Sequence, residues 1–120
     1  MKERWIFFRA PILEAVRNGA KTQTRRIRKS AQCPFGKPGD VLRIPAGPVT
    51  KHVRLRIIEI KSERLQEINE TDAEAEGVCF GMLSFSSPRD AFCDAWKSLF
   101  GPESWDENPE VWVIRFELLR

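Results

Sequence analysis

A basic segment near the start of the chain carries the residue types best suited to chemistry. Residues 15–40 contain one acid, Asp40, and seven Lys or Arg residues. Lys21 precedes Thr24 by three positions, and three arginines follow Lys21 within seven residues. Because nearby positive charge disfavours the ammonium form, this spacing could lower the pKa of Lys21, and a neutral lysine can accept a proton. Thr24 would then supply a hydroxyl for the lysine base to activate.

Glu76 is the candidate acid that would complete this group. It lies in the last turn of a predicted helix, where the helix dipole disfavours a carboxylate and so favours a cationic partner or a protonated carboxyl. It would donate a proton or orient a water. The plainer alternative is that Lys21 faces solvent, Thr24 is an ordinary strand residue and Glu76 is one of several acids on a solvated helix.

Four arginines are candidates for binding an anionic or nucleic-acid ligand. Guanidinium groups match phosphate oxygens in pairs and attract anions through their fixed charge. We assign this role to Arg25, Arg26, Arg28 and Arg43. An ordinary solvated basic loop is the alternative, and the sequence pI near 9.0 permits nucleic-acid binding without requiring it.

Composition argues against several other kinds of site. His52 is the sole histidine, and Cys33, Cys79 and Cys93 form no Cys-x-x-Cys pair, so we expect no metal, no cofactor and no disulfide framework. The length suits one domain, residues 1–120. No apolar run approaches the roughly 20 residues that span a bilayer, so no membrane partner is expected. The N-terminus lacks a signal-peptide pattern, which predicts a cytoplasmic protein.

The elements that must position these residues begin with an aromatic run, residues 5–8, which has the pattern of a buried strand. Pro11 opens a helix that Gly19 closes, so the basic segment starts at a helix C-terminus, a place that favours cations. A Pro-Gly turn introduces a strand over residues 41–44, and a short loop follows it. The strongest strand pattern runs from His52 to Lys61, where a slip in the apolar phase predicts a bulge.

The second half of the chain contributes two predicted helices and a closing strand. Thr71 opens a capping box that starts a short helix, which a glycine ends. A loop is predicted for residues 81–87, followed by a helix over residues 88–100 with one apolar face. A polar turn around Trp105 then precedes a strand over residues 111–118. Because strands and helices do not alternate regularly, we predict an α+β fold: a small, mostly antiparallel barrel or curled sheet with covering helices.

Four motifs occur in an order that matches a known family. Residues 19–26 read Gly-x-Lys-x-x-Thr-x-Arg directly after the first predicted helix. Residues 35–40 end in Lys-x-Gly-Asp, residues 73–78 contain Ala-Glu-Gly at a helix end, and residues 112–116 form the closing strand. Together they resemble the ASCH domain, a small barrel similar to the PUA RNA-binding fold. The resemblance covers nearly the whole chain and points to phage or prophage members.

The resemblance implies binding of RNA or a modified nucleoside in a cleft beside the signature. A subgroup of small bacterial members hydrolyses the acetyl amide of N4-acetylcytidine with a lysine, a threonine and a glutamate. The matching residues here are Lys21, Thr24 and Glu76. Arg26 would bind the base or stabilise the developing oxyanion. Other members cut RNA, so the alternative is a non-catalytic or RNA-cleaving RNA-binding module of phage origin.

This hypothesis predicts a specific arrangement in three dimensions. The Glu76 carboxylate should lie within salt-bridge or one-water reach of Lys21 or of the signature arginine. The Thr24 hydroxyl should open into the same concavity, near the Lys21 amine. The other arginines should line its rim, and Trp5 or Phe8 should form an apolar wall against which a base can lie.

Overall fold

The computed structural model of the chain describes residues 2–46, 52–82, 84 and 86–120. Within these ranges the elements are β1 (Glu3–Trp5), α1 (Ala10–Arg17), β2 (Gln23–Ile27), β3 (Val41–Ile44), β4 (Val53–Arg64), a 3-10 turn (Leu65–Glu67), α2 (Glu70–Ala75), α3 (Pro88–Phe100), α4 (Pro102–Asp106) and β5 (Glu110–Leu119). Gly47 and Pro48 of the predicted short loop, and Leu83 and Phe85 of the second predicted loop, lie outside the described residues. In the ranges given above, no helix is long and apolar enough to cross a membrane.

The strands form one five-stranded mixed sheet in the order β1-β3-β4-β5-β2. β1 pairs in parallel with β3, whereas the other three pairs are antiparallel. The predicted α+β class and mostly antiparallel sheet are therefore confirmed. The predicted barrel is not, because among the described strands β1 and β2 are the open edges of the sheet. β1 has only three residues before the chain runs into α1, so it offers little backbone for pairing with β2.

β4 is the long central strand, and it contains the predicted bulge. Its register against β5 shifts between Ile57 and Glu59, which leaves Ile58 as the extra residue. An extra residue reverses the alternation of side chains along a strand. As a result Ile57 and Ile60 both contribute to the same hydrophobic cluster, although three positions separate them.

Two hydrophobic clusters pack on opposite faces of the sheet, because alternate residues of β5 point to opposite sides. The first contains Ile6, Leu13, Val16, Leu42, Ile44, Leu55, Ile57, Trp112, Ile114 and Phe116. The second contains Leu65, Ile68, Ala73, Phe92, Trp96, Trp105, Val111 and Val113. Helix α1 thus covers one face, and the helices of the second half cover the other.

The N-terminal aromatic run is not a buried strand, and this prediction was wrong. β1 ends at Trp5, and Ile6 is the fully buried member of the run. Trp5 and Phe7 are 46% and 68% exposed. β1 is an edge strand, and the chain leaves the sheet after the Ile6 N–H donates to the Arg43 carbonyl at 3.0 Å. The aromatic side chains on either side of Ile6 therefore remain at the surface.

Helix α2 starts two residues earlier than its capping-box pattern indicates. Asn69, not Thr71, is the N-cap, and its side-chain oxygen accepts a hydrogen bond from the Asp72 N–H at 2.7 Å. Asparagine satisfies free N–H groups at a helix start as well as threonine does. Glu76 is the C-cap, and Gly77 follows it with φ +81°, as predicted for a glycine that ends a helix.

Helix α3 has the predicted bounds, whereas the segment after it differs from the prediction. Ser87 is the N-cap and accepts from the Asp90 N–H at 3.0 Å, and Gly101 ends the helix. Instead of a polar turn, the chain forms the short helix α4, which buries Trp105 in the second cluster. Burial of the Trp105 indole stabilises α4, which otherwise consists mostly of polar residues.

Candidate functional site

Lys21 and Glu76 lie together although 55 positions separate them in the chain. An isolated antiparallel bridge joins their backbones, and the neighbouring Thr22 N–H donates to the Ala75 carbonyl at 2.8 Å. Lys21 Nζ lies 3.0 Å from the Glu76 carbonyl oxygen and 3.3 Å from Glu76 Oε1. Both side chains are only 5% exposed. The predicted contact between the two residues is therefore confirmed.

Two helix ends create this contact. α1 is followed by Gly19 with φ +78°, after which the Lys21 N–H donates to the Ala15 carbonyl at 3.1 Å. α2 is followed by Gly77, where a Cβ would lie 2.7 Å from the Cβ of Lys21. The absence of a side chain at Gly77 lets the two backbones approach, so a lysine after one helix meets the carboxylate that ends another.

Burial lowers the pKa of Lys21 below the usual value for lysine, because the ammonium loses its hydration. Glu76 acts in the opposite direction through its charge and its hydrogen bond, whereas the positive charges of Arg26 and Arg25 add to the lowering. The net direction is downward. Lys21 therefore releases its proton more readily than an exposed lysine, as a general base must.

Arg25 is the centre of a buried charge cluster: it borders the pocket beside Lys21 and Glu76, but its side chain is not exposed on the rim, as a ligand-binding arginine was predicted to be. Its Nη1 donates to Glu76 Oε2 at 2.8 Å and also to Gln23 Oε1. Its Nη2 donates to Glu63 Oε2 at 3.0 Å and lies 3.6 Å from Asp72 Oδ2. The Arg25 side chain has 0% exposure, so it links β2, β4 and α2 internally. Within the described residues, no group of three or more His, Cys, Asp or Glu side chains is placed to hold a metal ion.

A pocket of about 250 Å³ opens beside the Lys21–Glu76 pair. Thr24 is buried and borders the same pocket, in agreement with the predicted shared concavity. The Phe8 ring forms part of the wall, with its centroid 5.5 Å from Lys21 Nζ. Phe8, rather than Trp5, thus supplies the predicted apolar surface.

Arg26 borders this pocket with its guanidinium held between aromatic rings. The guanidinium carbon lies 5.0 Å from the centroid of Phe8 and 5.6 Å from that of Phe35. Its Nη2 donates to the Phe7 carbonyl at 3.0 Å. These contacts orient a planar cation beside the pocket, where its remaining N–H groups can donate to a ligand.

Arg28 and Arg43 do not border the pocket, so the prediction that they line its rim was wrong. The Arg28 guanidinium packs 4.5 Å from the Trp112 ring, next to Glu110. Arg43 lies toward the β1 edge of the sheet, 5.0 Å from the Trp5 ring. Arg28 is close to Lys21 in sequence, but it lies one residue beyond the end of β2, where its N–H donates to the Glu110 carbonyl, so the strand carries it away from the pocket.

Helix α3 contributes an apolar wall to the pocket that was not predicted from the sequence. Phe92, Trp96, Leu99 and Phe100 all border it. The available signal was the length of the apolar face of α3, which continues to Phe100 although Leu99 and Phe100 remain partly exposed. The missed partner of Arg25, Glu63 on β4, left no signal, because its proximity depends on the register of three strands.

Comparisons with known proteins identify the fold of this chain. No protein-family model matches the chain, and no curated protein matches it. Among solved structures, the ASCH domain from Lactobacillus crispatus JV V101 superposes with a TM-score of 0.73 at 13% identity, covering 98% of this chain and 79% of that one. Protein EF3133 from Enterococcus faecalis V583 gives 0.65 at 18% identity, covering 99% and 80%. Protein PF0455 from Pyrococcus furiosus gives 0.59 at 19% identity, covering 100% and 99%.

These similarities extend over almost the entire chain, and they define its class by architecture. The chain has an ASCH-like fold: a five-stranded mixed sheet with helices on both faces. The sequence identities are low, so the comparisons establish only the fold. The function must be argued from the site.

Proposed function

We propose that this protein is an amidohydrolase that removes the acetyl group from the N4 amide of N4-acetylcytidine or a similar modified cytidine. The observation that carries the proposal is the buried contact between Lys21 and Glu76 beside a pocket that Thr24 also borders. A lysine of lowered pKa, a hydroxyl and a carboxylate can supply the base, the nucleophile and the proton donor for amide hydrolysis without a metal.

In the proposed reaction the neutral Lys21 amine accepts a proton from the Thr24 hydroxyl or from a water that Thr24 holds. The resulting oxygen nucleophile attacks the acetyl carbonyl carbon. The bond between this carbon and N4 then breaks, and Glu76 delivers a proton to the departing nitrogen. Water cleaves the acetyl ester if Thr24 is the nucleophile, so the products are acetate and cytidine in either case. The 3.3 Å contact between Lys21 and Glu76 provides the path for the proton from base to acid.

The walls of the pocket suit a planar base. Aromatic rings of Phe8, Phe92 and Trp96 border it, and stacking on such rings contributes about 1–3 kcal/mol per base. Arg26 would donate to the base or to the developing oxyanion, a role whose loss costs about 10²–10³ in kcat. The volume of about 250 Å³ is slightly below the range of about 300–1,000 Å³ common for ligand sites, which favours a single nucleoside.

The ion pairs of the basic segment reduce the positive charge available to RNA phosphates. Arg25 is enclosed by carboxylates, and Arg28 contacts Glu110 at 3.5 Å. Lys21 is paired with Glu76. The segment is therefore much less basic as a surface than as a sequence, which favours the nucleoside over an RNA strand as the ligand.

The direct test is incubation of the purified protein with N4-acetylcytidine, with and without EDTA, with cytidine and acetate measured by chromatography. We expect turnover that is insensitive to EDTA and is reduced at least about 10²-fold in Lys21→Ala and Glu76→Gln. Lys29→Ala is the matched control, because Lys29 is an exposed lysine of the same segment, and it should retain full activity. No turnover in the wild type, or unchanged turnover in Lys21→Ala, would contradict the proposal.

RNA binding is the alternative function, and a binding experiment on the same purified protein tests it. A labelled single-stranded RNA would be titrated at two salt concentrations. Binding through phosphates weakens steeply with salt, because each neutralised phosphate releases counterions. Tight, salt-sensitive RNA binding without amide hydrolysis would replace the enzyme by an RNA-binding module.

A further inference from the structure

We propose that Arg25 is a positioning residue of this site: although it borders the pocket, its guanidinium is fully buried and acts by orienting the Glu76 carboxylate toward Lys21. The inference rests on the proposed function for its effect on turnover. The charge arrangement behind it, however, belongs to the free protein and can be measured without a substrate.

The two oxygens of the Glu76 carboxylate have different cationic partners. Oε2 accepts from Arg25 Nη1 at 2.8 Å, whereas Oε1 lies 3.3 Å from Lys21 Nζ. Because Arg25 makes the shorter contact, it sets the plane of the carboxylate and leaves the other oxygen directed at Lys21. It also takes up part of the negative charge that Lys21 would otherwise face alone.

Arg25 is in turn held by groups that lie outside the pocket. Glu63 on β4 accepts from Nη2 at 3.0 Å, Asp72 on α2 lies 3.6 Å from the same nitrogen, and Gln23 accepts from Nη1. A guanidinium can meet these partners at once because its donors are arranged in a rigid fork. With 0% exposure, the Arg25 side chain is fixed from three sides and acts on the reaction only through Glu76 and Lys21.

The charges around Lys21 determine what the loss of Arg25 would do. Lys21 faces Glu76 from α2 and both Arg26 and Arg25 from β2. Removal of Arg25 eliminates one repulsive positive charge and leaves the Glu76 carboxylate unshared. Both changes stabilise the ammonium, so the pKa of Lys21 should rise. The remaining carboxylates around Arg25 act in the same direction, although Glu63 keeps a 3.7 Å contact with Lys61.

The experiment is an NMR titration of the Lys21 side chain in the wild type, Arg25→Met and Arg25→Lys. Arg54→Met is the matched control, since Arg54 is exposed and pairs with Glu3 on the opposite edge of the sheet. We expect the Lys21 pKa to rise in Arg25→Met, to rise less in Arg25→Lys, which keeps the charge but not the fork, and to stay unchanged in Arg54→Met. Each unit of rise lowers the neutral fraction of Lys21 about tenfold.

The pH profile of kcat/KM on N4-acetylcytidine should move to higher pH by the same amount, with little change in KM because the Arg25 side chain has 0% exposure to the pocket. A Lys21 pKa equal to that of the wild type in both Arg25 variants overturns the inference. If Arg25→Met does not fold, Arg25→Lys decides by the same criterion. A raised Lys21 pKa in a protein that never hydrolyses N4-acetylcytidine would refute the proposed reaction and leave the role of Arg25 in place.

Discussion

The Cα of Gly77 packs directly against Lys21, so that a Cβ at position 77 would lie 2.7 Å from the Cβ of Lys21 and 3.2 Å from that of Ala15. Both neighbours are side-chain carbons close to the backbone, which cannot move aside as a flexible chain end can. The contact between the catalytic lysine and glutamate of the proposed reaction thus depends on a glycine that follows α2.

Gly77→Ala should destabilise the fold and displace Lys21. Gly19→Ala is the matched control, because Gly19 has nearly the same φ, +78° against +81°, but a Cβ there would meet nothing within 4 Å. In both variants an alanine must adopt the left-handed backbone conformation, which costs about 1–2 kcal/mol of stability. Only Gly77→Ala adds the clash with Lys21. Urea unfolding should therefore show a larger loss of stability for Gly77→Ala than for Gly19→Ala. Equal losses would show that the close approach is unimportant.

The buried lysine should give the protein a characteristic alkaline stability profile. Lysine in the unfolded chain titrates near pH 10.4, and burial places the folded-state pKa of Lys21 below this value. Between the two values the unfolded state binds more protons, so the free energy of unfolding rises with pH in that window. The contribution of Lys21 to the free energy of unfolding does not change with pH below the folded-state pKa or above the unfolded-state pKa.

Urea unfolding from about pH 7 to about pH 10 would measure this effect, with Lys21→Met as the reference because methionine does not titrate. We expect the wild type to gain stability relative to Lys21→Met as the pH rises. Parallel stability curves for the two proteins would mean that the pKa of Lys21 is not lowered by folding.

Arg26 and Arg28 allow a direct comparison of two arginines that both stack on aromatic rings. Arg26 lies beside Phe8 at the pocket, whereas Arg28 lies over Trp112 outside it. Arg26→Lys should lower kcat on N4-acetylcytidine about 10²-fold, because an ammonium cannot replace an oriented guanidinium donor. Arg28→Lys should leave kcat unchanged. The reverse order would place the ligand beside Arg28 and Trp112 instead of in the pocket.

Thr24 can be tested by two substitutions that keep its size or its hydroxyl. Thr24→Val removes the oxygen from a buried position and should reduce turnover at least about 10²-fold. Thr24→Ser keeps the oxygen and should recover much of the activity. Mass spectrometry of the wild type during turnover would detect an acetyl group on Thr24 if this residue is the nucleophile. Full activity in Thr24→Val would exclude both roles proposed for the hydroxyl.

Charge pairing within the cluster also predicts a large effect on stability. Arg25→Met leaves Glu63, Asp72 and Glu76 without their common partner, and breaking a buried ion pair in this way costs about 3–5 kcal/mol. Arg54→Met, at an exposed pair with Glu3, should cost less than about 1 kcal/mol. Thermal denaturation of both variants at one pH measures the difference. A small loss for Arg25→Met would show that water hydrates the cluster after substitution.

Local patterns in the sequence predicted most of the regular elements of this protein. Pro11 and Gly19 delimit α1, Ser87 and Gly101 delimit α3, and the phase slip in β4 is a bulge. These features depend on residues near one another in the chain, whose caps and alternation act locally. Spacing cannot bring Lys21 and Glu76 together; the helix-end position of Glu76 only favoured some cationic partner, and the resemblance to the ASCH family pointed to Lys21 as that partner.

Tertiary structure decided the features that depend on distant partners. Trp5 is exposed because β1 is an edge strand, and Trp105 is buried because α3 packs beside it, although both are tryptophans near polar residues. Arg25 and Arg28 are both arginines of one basic segment, yet the sheet encloses the first among carboxylates and leaves the second at the surface. Residue type sets what a side chain can do, but the dielectric and the partners around it come from segments far away in the chain, and these determine its charge and its role.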